Sequence, residues 1–193
     1  MARRKEFDPD QALAKAMDVF WRLGYENASL ELLLREMGIA KQSLYDTYGD
    51  KRGLYMKALA YYRRQTNDGL RGLFAAGRPV KEVFAKLLFG LSAESKHQHE
   101  RGCLLLSANL ERDTSDATLA EFLRDNQAEV EGIFREALLR ERRAGELSRN
   151  ADTKALARFF TVTIQGMRAM ARLRSDRKSL EQVARVALAT LDQ

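Results

Sequence analysis

Proline occurs only twice in the 193 residues, at Pro9 and Pro79, and this scarcity constrains the fold more than any other feature of the chain. Average usage of about 5% would place roughly ten prolines in a chain of this length. Proline locks φ and removes a backbone donor, so it interrupts helices. With so few interruptions, and with no stretch that alternates apolar and polar residues as a strand does, an all-α fold is expected. The 45% hydrophobic and 31% charged residues suit a folded globular chain, and the length allows a core that needs neither disulfides nor metals. The single cysteine, Cys103, has no internal disulfide partner. No apolar run approaches the roughly 20 residues of a bilayer span, and no charged-then-apolar leader opens the sequence. A cytoplasmic chain without a membrane partner is the expectation.

Capping and breaking residues divide the chain into about nine helices. Asp8-Pro9-Asp10-Gln11 reads as a capped start with proline at the first helical position, followed by Leu13, Ala16, Met17, Phe20 and Trp21 on one face and Gly24 as a closing glycine. Ser29 caps a short helix bearing Leu30, Leu33, Leu34 and Met37. Gly38 ends it, and a third helix runs from about Ala40 to Thr47. Asp50 caps a longer helix that reaches Gly77-Arg78-Pro79, the clearest break in the chain. Beyond it lie a helix with Val83, Phe84, Leu87, Leu88 and Leu91, then a polar stretch from Ser92 to Arg101 that reads as loop or frayed helix. A short apolar helix from Cys103 to about Leu110 follows. The last three helices start near Thr114-Ser115-Asp116, near Asp152 and at Ser179, and the first of these ends in a basic turn near Gly145. The expected domains are a reading unit over 1–50, a connecting helix over 51–77, and a helical body over 78–193.

Helix, single-glycine turn, helix from Ser29 to Tyr48 has the spacing of a helix-turn-helix, whose second helix enters the DNA major groove. The third helix carries Lys41, Gln42, Ser43, Tyr45 and Thr47, which donate to or accept from bases and phosphates, while Leu44 and Tyr48 face inward. Helix starts offer free N–H groups to phosphate, which suits both Ser29 and Lys51. Gln42 can bond an adenine edge bidentately, and Lys41 a guanine. Arg3, Arg4 and Lys5 form a basic tail that either enters a minor groove or stays unstructured. Net charge alone is a poor guide. The chain holds 33 Lys plus Arg against 27 Asp plus Glu, a net +6, yet residues 1–55 carry nine of each sign.

Gly24-Tyr25, Ser29-Leu30, Met37-Gly38-Ile39, Ser43-Leu44-Tyr45, Tyr48-Gly49 and Asp50-Lys51, in this order and spacing, resemble the DNA-binding domain of the tetracycline-repressor (TetR/AcrR) family. The resemblance covers the N-terminal quarter to third closely and the remainder in length and helical layout. It implies a ligand-responsive, sequence-specific transcriptional regulator, a repressor released from its operator by a small molecule. It also implies that Lys41, Gln42 and Ser43 aim at base edges or nearby phosphates, and that Ser29, Tyr45, Thr47 and Lys51 contact the DNA backbone. Ala40, Gln42, Thr47 and Arg52 depart from the family's common serine, glycine, histidine and glutamate, which bears on the operator sequence and leaves the binding mode intact.

The helix from Asp152 to Leu173 is apolar on more than one side and therefore has to be covered on more than one side. Val162, Gly166, Ala169 and Leu173, with Ala184, Ala187 and Leu191 of the last helix, form the expected interface of a C2 homodimer. Such a dimer places two recognition helices about 34 Å apart on a pseudo-palindromic duplex operator. Phe84, Leu88, Phe122, Phe134, Phe159 and Met167, with the polar Asn126 and Thr163, either fill a core or line a mostly apolar effector pocket; the resemblance favours an effector of unspecified identity. Cys103, in Arg101-Gly102-Cys103-Leu104, is similar to a Gly-Cys-Leu element of some family members. It is a pocket candidate and the basis of an alternative, a thiol-based regulator responding to oxidants or electrophiles. His97, His99 and Cys103 are too loosely spaced to argue for a metal. No catalytic triad, phosphate loop or cofactor motif stands out, so neither enzymatic activity nor a cofactor is expected.

Overall fold

The computed structural model describes residues 7–75, 77–173 and 176–192; Arg3, Arg4 and Lys5 of the basic tail lie outside them. The described residues form ten α-helices: α1 Pro9–Asn27, α2 Leu30–Met37, α3 Lys41–Tyr48, α4 Lys51–Ala75, α5 Val80–Ala93, α6 Lys96–Arg101, α7 Leu104–Glu111, α8 Ala117–Ala144, α9 Thr153–Leu173 and α10 Arg177–Ala189. They fall into two compact units. The first comprises Met1–Gln65 with Cys103–Leu119, the second Thr66–Gly102 with Ala120–Gln193. Both α4 and α8 therefore contribute residues to each unit, and α7 counts with the N-terminal helices although it follows α5 and α6 in the chain.

Most of the helices, α3, α5 and α7 excepted, begin where side chains can satisfy the free N–H groups of a first turn. Asp8 accepts from the Asp10 and Gln11 amides ahead of Pro9, and Asp152 from those of Lys154 and Ala155. Two local readings change. The stretch expected as loop or frayed helix contains α6, because Ser95 and Gln98 form a reciprocal capping box and the buried His99 donates from Nε2 to the carbonyl of Leu91 at 2.8 Å. That carbonyl belongs to the last turn of α5, where no intrahelical donor remains. The final helix starts at Arg177, capped by Asp176 through the Lys178 amide, and Ser179 donates its hydroxyl to the same carboxylate. Gly24, with φ 74° and ψ 176°, is non-helical and divides α1 into two helical segments at the position where a closing glycine was expected.

In the first unit, α1 packs on α2 and on α7. Ala16, Val19 and Phe20 of α1, Leu33 of α2, Leu44 of α3, Leu54 and Leu59 of α4 and Leu104 of α7 are buried. The Phe20 ring meets Tyr55 edge-on at 4.9 Å, and Trp21 meets Tyr62 at 4.8 Å. The second unit is centred on four phenylalanines. Phe84 stacks on Phe160 at 3.8 Å and meets Phe74 and Phe134 at 5.1 Å each. Around them lie Leu88, Leu138, Met167, Leu180, Ala184, Ala187 and Leu191. Arg140 reaches back to donate to the Phe74 carbonyl at 2.6 Å, closing the C-terminus of α4.

Gly53 marks the tightest backbone approach among the glycines. A Cβ at this position would lie 2.1 Å from the Tyr48 carbonyl oxygen, an atom of the main chain that cannot rotate aside. Gly72, farther along the same helix, has nothing within 4 Å of such a carbon. Gly53→Ala is expected to destabilise the chain by about 1–3 kcal/mol, as overpacking does, and to displace the end of α3. Gly72→Ala should stabilise it by about 0.5–1 kcal/mol through the helix preference of alanine. Urea denaturation of the two variants tests the contrast.

Candidate nucleic-acid interface

The site is built from the N-terminus of α2, the outer face of α3 and the first turn of α4. Ser29 Oγ accepts from the Leu32 amide at 3.1 Å, so this exposed serine is the cap that starts α2. Gly38 then adopts the left-handed conformation, φ 70° and ψ 36°, and its N–H bonds the carbonyls of Leu34 and Arg35. A side chain at this φ would be strained. The turn sends the chain through Ile39 and Ala40 into α3.

Burial on one side of α3 dictates what the other side presents. Leu44 and Tyr48 face the core, and the Tyr48 hydroxyl donates to the carbonyl of Pro9 at 3.1 Å. Lys41, Gln42, Tyr45 and Asp46 are exposed, with Ser43 and Thr47 half-buried beside them. Gln42 Nε2 donates to Asp46 Oδ1 at 2.8 Å, and the Lys41 ammonium lies 6.0 Å from the centre of the Tyr45 ring. Ala40 makes no side-chain cap at the start of α3.

At the start of α4, Asp50 Oδ1 accepts from the Gly53 amide at 2.6 Å, the cap expected for this helix. The Lys51 ammonium sits 4.5 Å from the centre of the Tyr25 ring and 3.4 Å from the Glu26 carbonyl, to which it donates. Arg52 pairs with Asp116 and lies 5.9 Å from the rings of both Tyr25 and Tyr55. Asp116 serves a second purpose, since its Oδ1 accepts from the Leu119 amide at 3.0 Å and opens α8. Burial, reinforced by the Glu111 carboxylate, pushes the Tyr55 hydroxyl up to about 12, so it stays protonated at neutral pH. A hollow of about 220 Å³ is bounded by Tyr25, Arg52, Tyr55, Glu111, Arg112 and Asp116.

Of the seven residues expected at this site, Ser29, Lys41, Gln42 and Tyr45 are exposed, and Ser43, Thr47 and Lys51 are half-buried. Three further members were not anticipated. The pairing of Gln42 with Asp46 was available from their i, i+4 spacing. Tyr25 beneath Lys51 and Asp116 beside Arg52 carry no local signal, because their partners lie 26 and 64 residues away in the chain.

The other candidates divide differently. Phe84, Leu88, Phe134 and Met167 belong to the buried core of the second unit and pack within it. Phe122, Asn126 and Thr163 are half-buried, and Asn126 accepts from Asn67 Nδ2 at 3.2 Å. Phe159 is partly exposed and lines a hollow of about 440 Å³ with Ser148, Asn150, Asp152, Leu156 and Thr190. Cys103, half-buried, is the N-cap residue of α7 in the first unit.

On α9, Val162, Gly166, Ala169 and Leu173 are all exposed, Val162 at 61% and Leu173 at 73%. For Ala184, Ala187 and Leu191 the expectation is corrected. These three are buried in the chain's own core because α10 turns that face onto α5. The large apolar residues that α10 leaves exposed are Val183 and Val186. No helix among the described residues is long and apolar enough to cross a membrane.

A short capped helix, a left-handed glycine and a second helix with a solvated polar face define a helix-turn-helix DNA-binding protein. Residues 12–58 match the family model of bacterial regulatory proteins of the tetR family, and residues 81–187 match that of the tetracyclin repressor-like C-terminal domain. The chain belongs to the TetR family of transcriptional regulators. It is 34% identical to the uncharacterized HTH-type transcriptional regulator YezE of Bacillus subtilis (strain 168) across 100% of both chains. It is 31% identical to the HTH-type transcriptional repressor ComR of Escherichia coli (strain K12), over 98% of this chain and 90% of that protein. Among solved structures, a cysteine mutant of the TetR family regulator CifR, complexed with 26 bp double-strand operator DNA, superposes with a TM-score of 0.83 at 34% identity. That match covers 97% of this chain and 98% of CifR.

The Arg52 and Asp116 side chains are 33% and 23% exposed, so their pairing is only partly screened by water. A double-mutant cycle with Arg52→Met and Asp116→Asn, followed by urea denaturation, should give a coupling of about 1 kcal/mol, at the upper end for partly exposed pairs.

Proposed function

We propose that two copies of the chain bind a pseudo-palindromic duplex operator and repress transcription from it until a small molecule releases them. The single observation that carries this reading is the solvated outer face of α3, flanked by the helix starts at Ser29 and Lys51. On the operator, Gln42 and Lys41 contact base edges, with Ser43 beside them. Tyr45 and Thr47 meet the sugar-phosphate backbone. Ser29 and Lys51 each place a phosphate at a helix N-terminus, where free N–H groups and the helix dipole favour an anion. The uncapped first turn of α3 offers its own N–H groups in the same way. The identity with CifR, which has been seen on its operator, and with the repressor ComR supports both the DNA target and the direction of regulation.

Dimerisation follows from the exposed apolar residues of α9 and α10. Val162, Met170, Leu173, Val183 and Val186 expose large apolar side chains to water on these two helices, as interaction surfaces do. A second copy related by a two-fold axis covers this face with the same face. The effector binds in the C-terminal unit, with Phe159 at the mouth of the hollow beside α9. Because α4 and α8 have residues in both units, a shift of either helix on effector binding reaches the reading unit and favours a state with weaker operator affinity.

Fluorescence anisotropy with duplexes from the chain's own upstream region and with unrelated duplexes, over a salt series, tests the reading; equal affinity for both would refute specific regulation. Lys51→Ala should weaken binding to every sequence and lower the salt slope by about one. Replacing Val162 and Leu173 together by Glu should halve the mass measured by light scattering at micromolar concentration. The same change should reduce operator affinity at least tenfold while leaving the helical circular dichroism intact.

A further inference from the structure

A carboxylate on a surface meant for phosphates works against binding, and Asp46 stands in the middle of such a surface, exposed on α3 beside Tyr45. Its bond with Gln42 is specific in chemistry. The Gln42 side chain can present either its oxygen or its nitrogen to a neighbour, but an ionised carboxylate only accepts. With Gln42 Nε2 at 2.8 Å from Asp46 Oδ1, the amide is held with its nitrogen toward Asp46, because the flipped amide would set two acceptors against each other. Gln42 thus keeps one N–H for Asp46 and directs its second N–H and its carbonyl oxygen to solvent. A donor and an acceptor side by side in fixed order complement the N7 acceptor and N6 amino donor of adenine.

We propose that Asp46 is a positioning residue that sets the base preference of Gln42, holding its amide in the orientation that selects adenine at one base pair of each half-site. This rests on the reading of Gln42 as a base-contacting residue. Without Asp46, the amide rotates freely and offers its donor and acceptor in either order, so other base-pair edges become acceptable at that position. The carboxylate weakens DNA affinity in general by repelling phosphates and gains discrimination in exchange. Asparagine at the same position removes the charge and can donate as well as accept, so it no longer fixes the Gln42 amide in one orientation.

The test selects bound sequences from a duplex pool with a randomised centre, using the full-length chain and its Gln42→Ala, Asp46→Ala and Asp46→Asn variants, and then measures affinity for duplexes differing at the selected base pair. The unaltered chain should favour adenine at one base pair per half-site by about tenfold or more. Asp46→Ala and Asp46→Asn should each reduce that preference to within about threefold, and both should bind unrelated DNA more tightly than the unaltered chain. Retention of the preference in Asp46→Ala, with its loss in Gln42→Ala, would overturn the positioning role and leave Gln42 as the base reader. Retention in Gln42→Ala would remove the reading on which the proposal rests. Loss of a cytosine preference at a different base pair in both Asp46 variants would overturn it as well, because Asp46 would then contact a base directly.

Discussion

The orientation of α3 depends on what it buries. Leu44 and Tyr48 are packed inward, each contributing on the order of 2 kcal/mol of apolar burial, and the Tyr48 hydroxyl bonds the Pro9 carbonyl at the start of α1. A helix of two turns has little stability of its own. Its polar face is held toward solvent only because its apolar face is committed to the core. Slippage of α3 would expose Leu44 and move Lys41, Gln42 and Tyr45 together, so the geometry of the exposed face and the stability of the core are one property here. The glycines on either side serve the same end, Gly38 by turning the chain in the left-handed region and Gly53 by letting the start of α4 approach the Tyr48 carbonyl.

The first turn of α4 is tied down by long-range contacts. Lys51 is held over the Tyr25 ring, and Arg52 by Asp116. Asp116 also caps α8, so a single carboxylate joins the starts of two helices that both continue into the second unit. Partial burial makes the arrangement consequential, since removing either charge leaves its partner in a setting less polar than water. The tyrosines beneath the two cations stay neutral and offer their faces to them.

In the second unit, the phenylalanine cluster absorbs one side of α9 and leaves the other in water. Phe160 and Met167 are buried, whereas Val162, Leu173 and, on α10, Val183 and Val186 are not. The division follows from helical periodicity, because residues two positions apart point about 200° apart on a helix, as do Phe160 and Val162. One helix thus builds the core on one side and leaves an apolar surface in water on the other.

Much of this was legible in the sequence wherever the governing interaction is local. Scarcity of proline and the capping residues Asp8, Ser29, Asp50 and Asp152 determined the helices, and the spacing from Ser29 to Tyr48 determined the turn, because caps and periodicity act within a few residues. The outer face of α3 followed from the same periodicity. The tertiary structure alone decided the partners of Lys51 and Arg52, which come from distant helices, and the burial of His99, which makes α6 a helix. It also decided which side of α10 meets the core. An alternation of small apolar residues shows that a helix has an apolar face but carries no information about whether its own chain or a second copy covers it. Ala184, Ala187 and Leu191 went to the former because α5 was there to receive them.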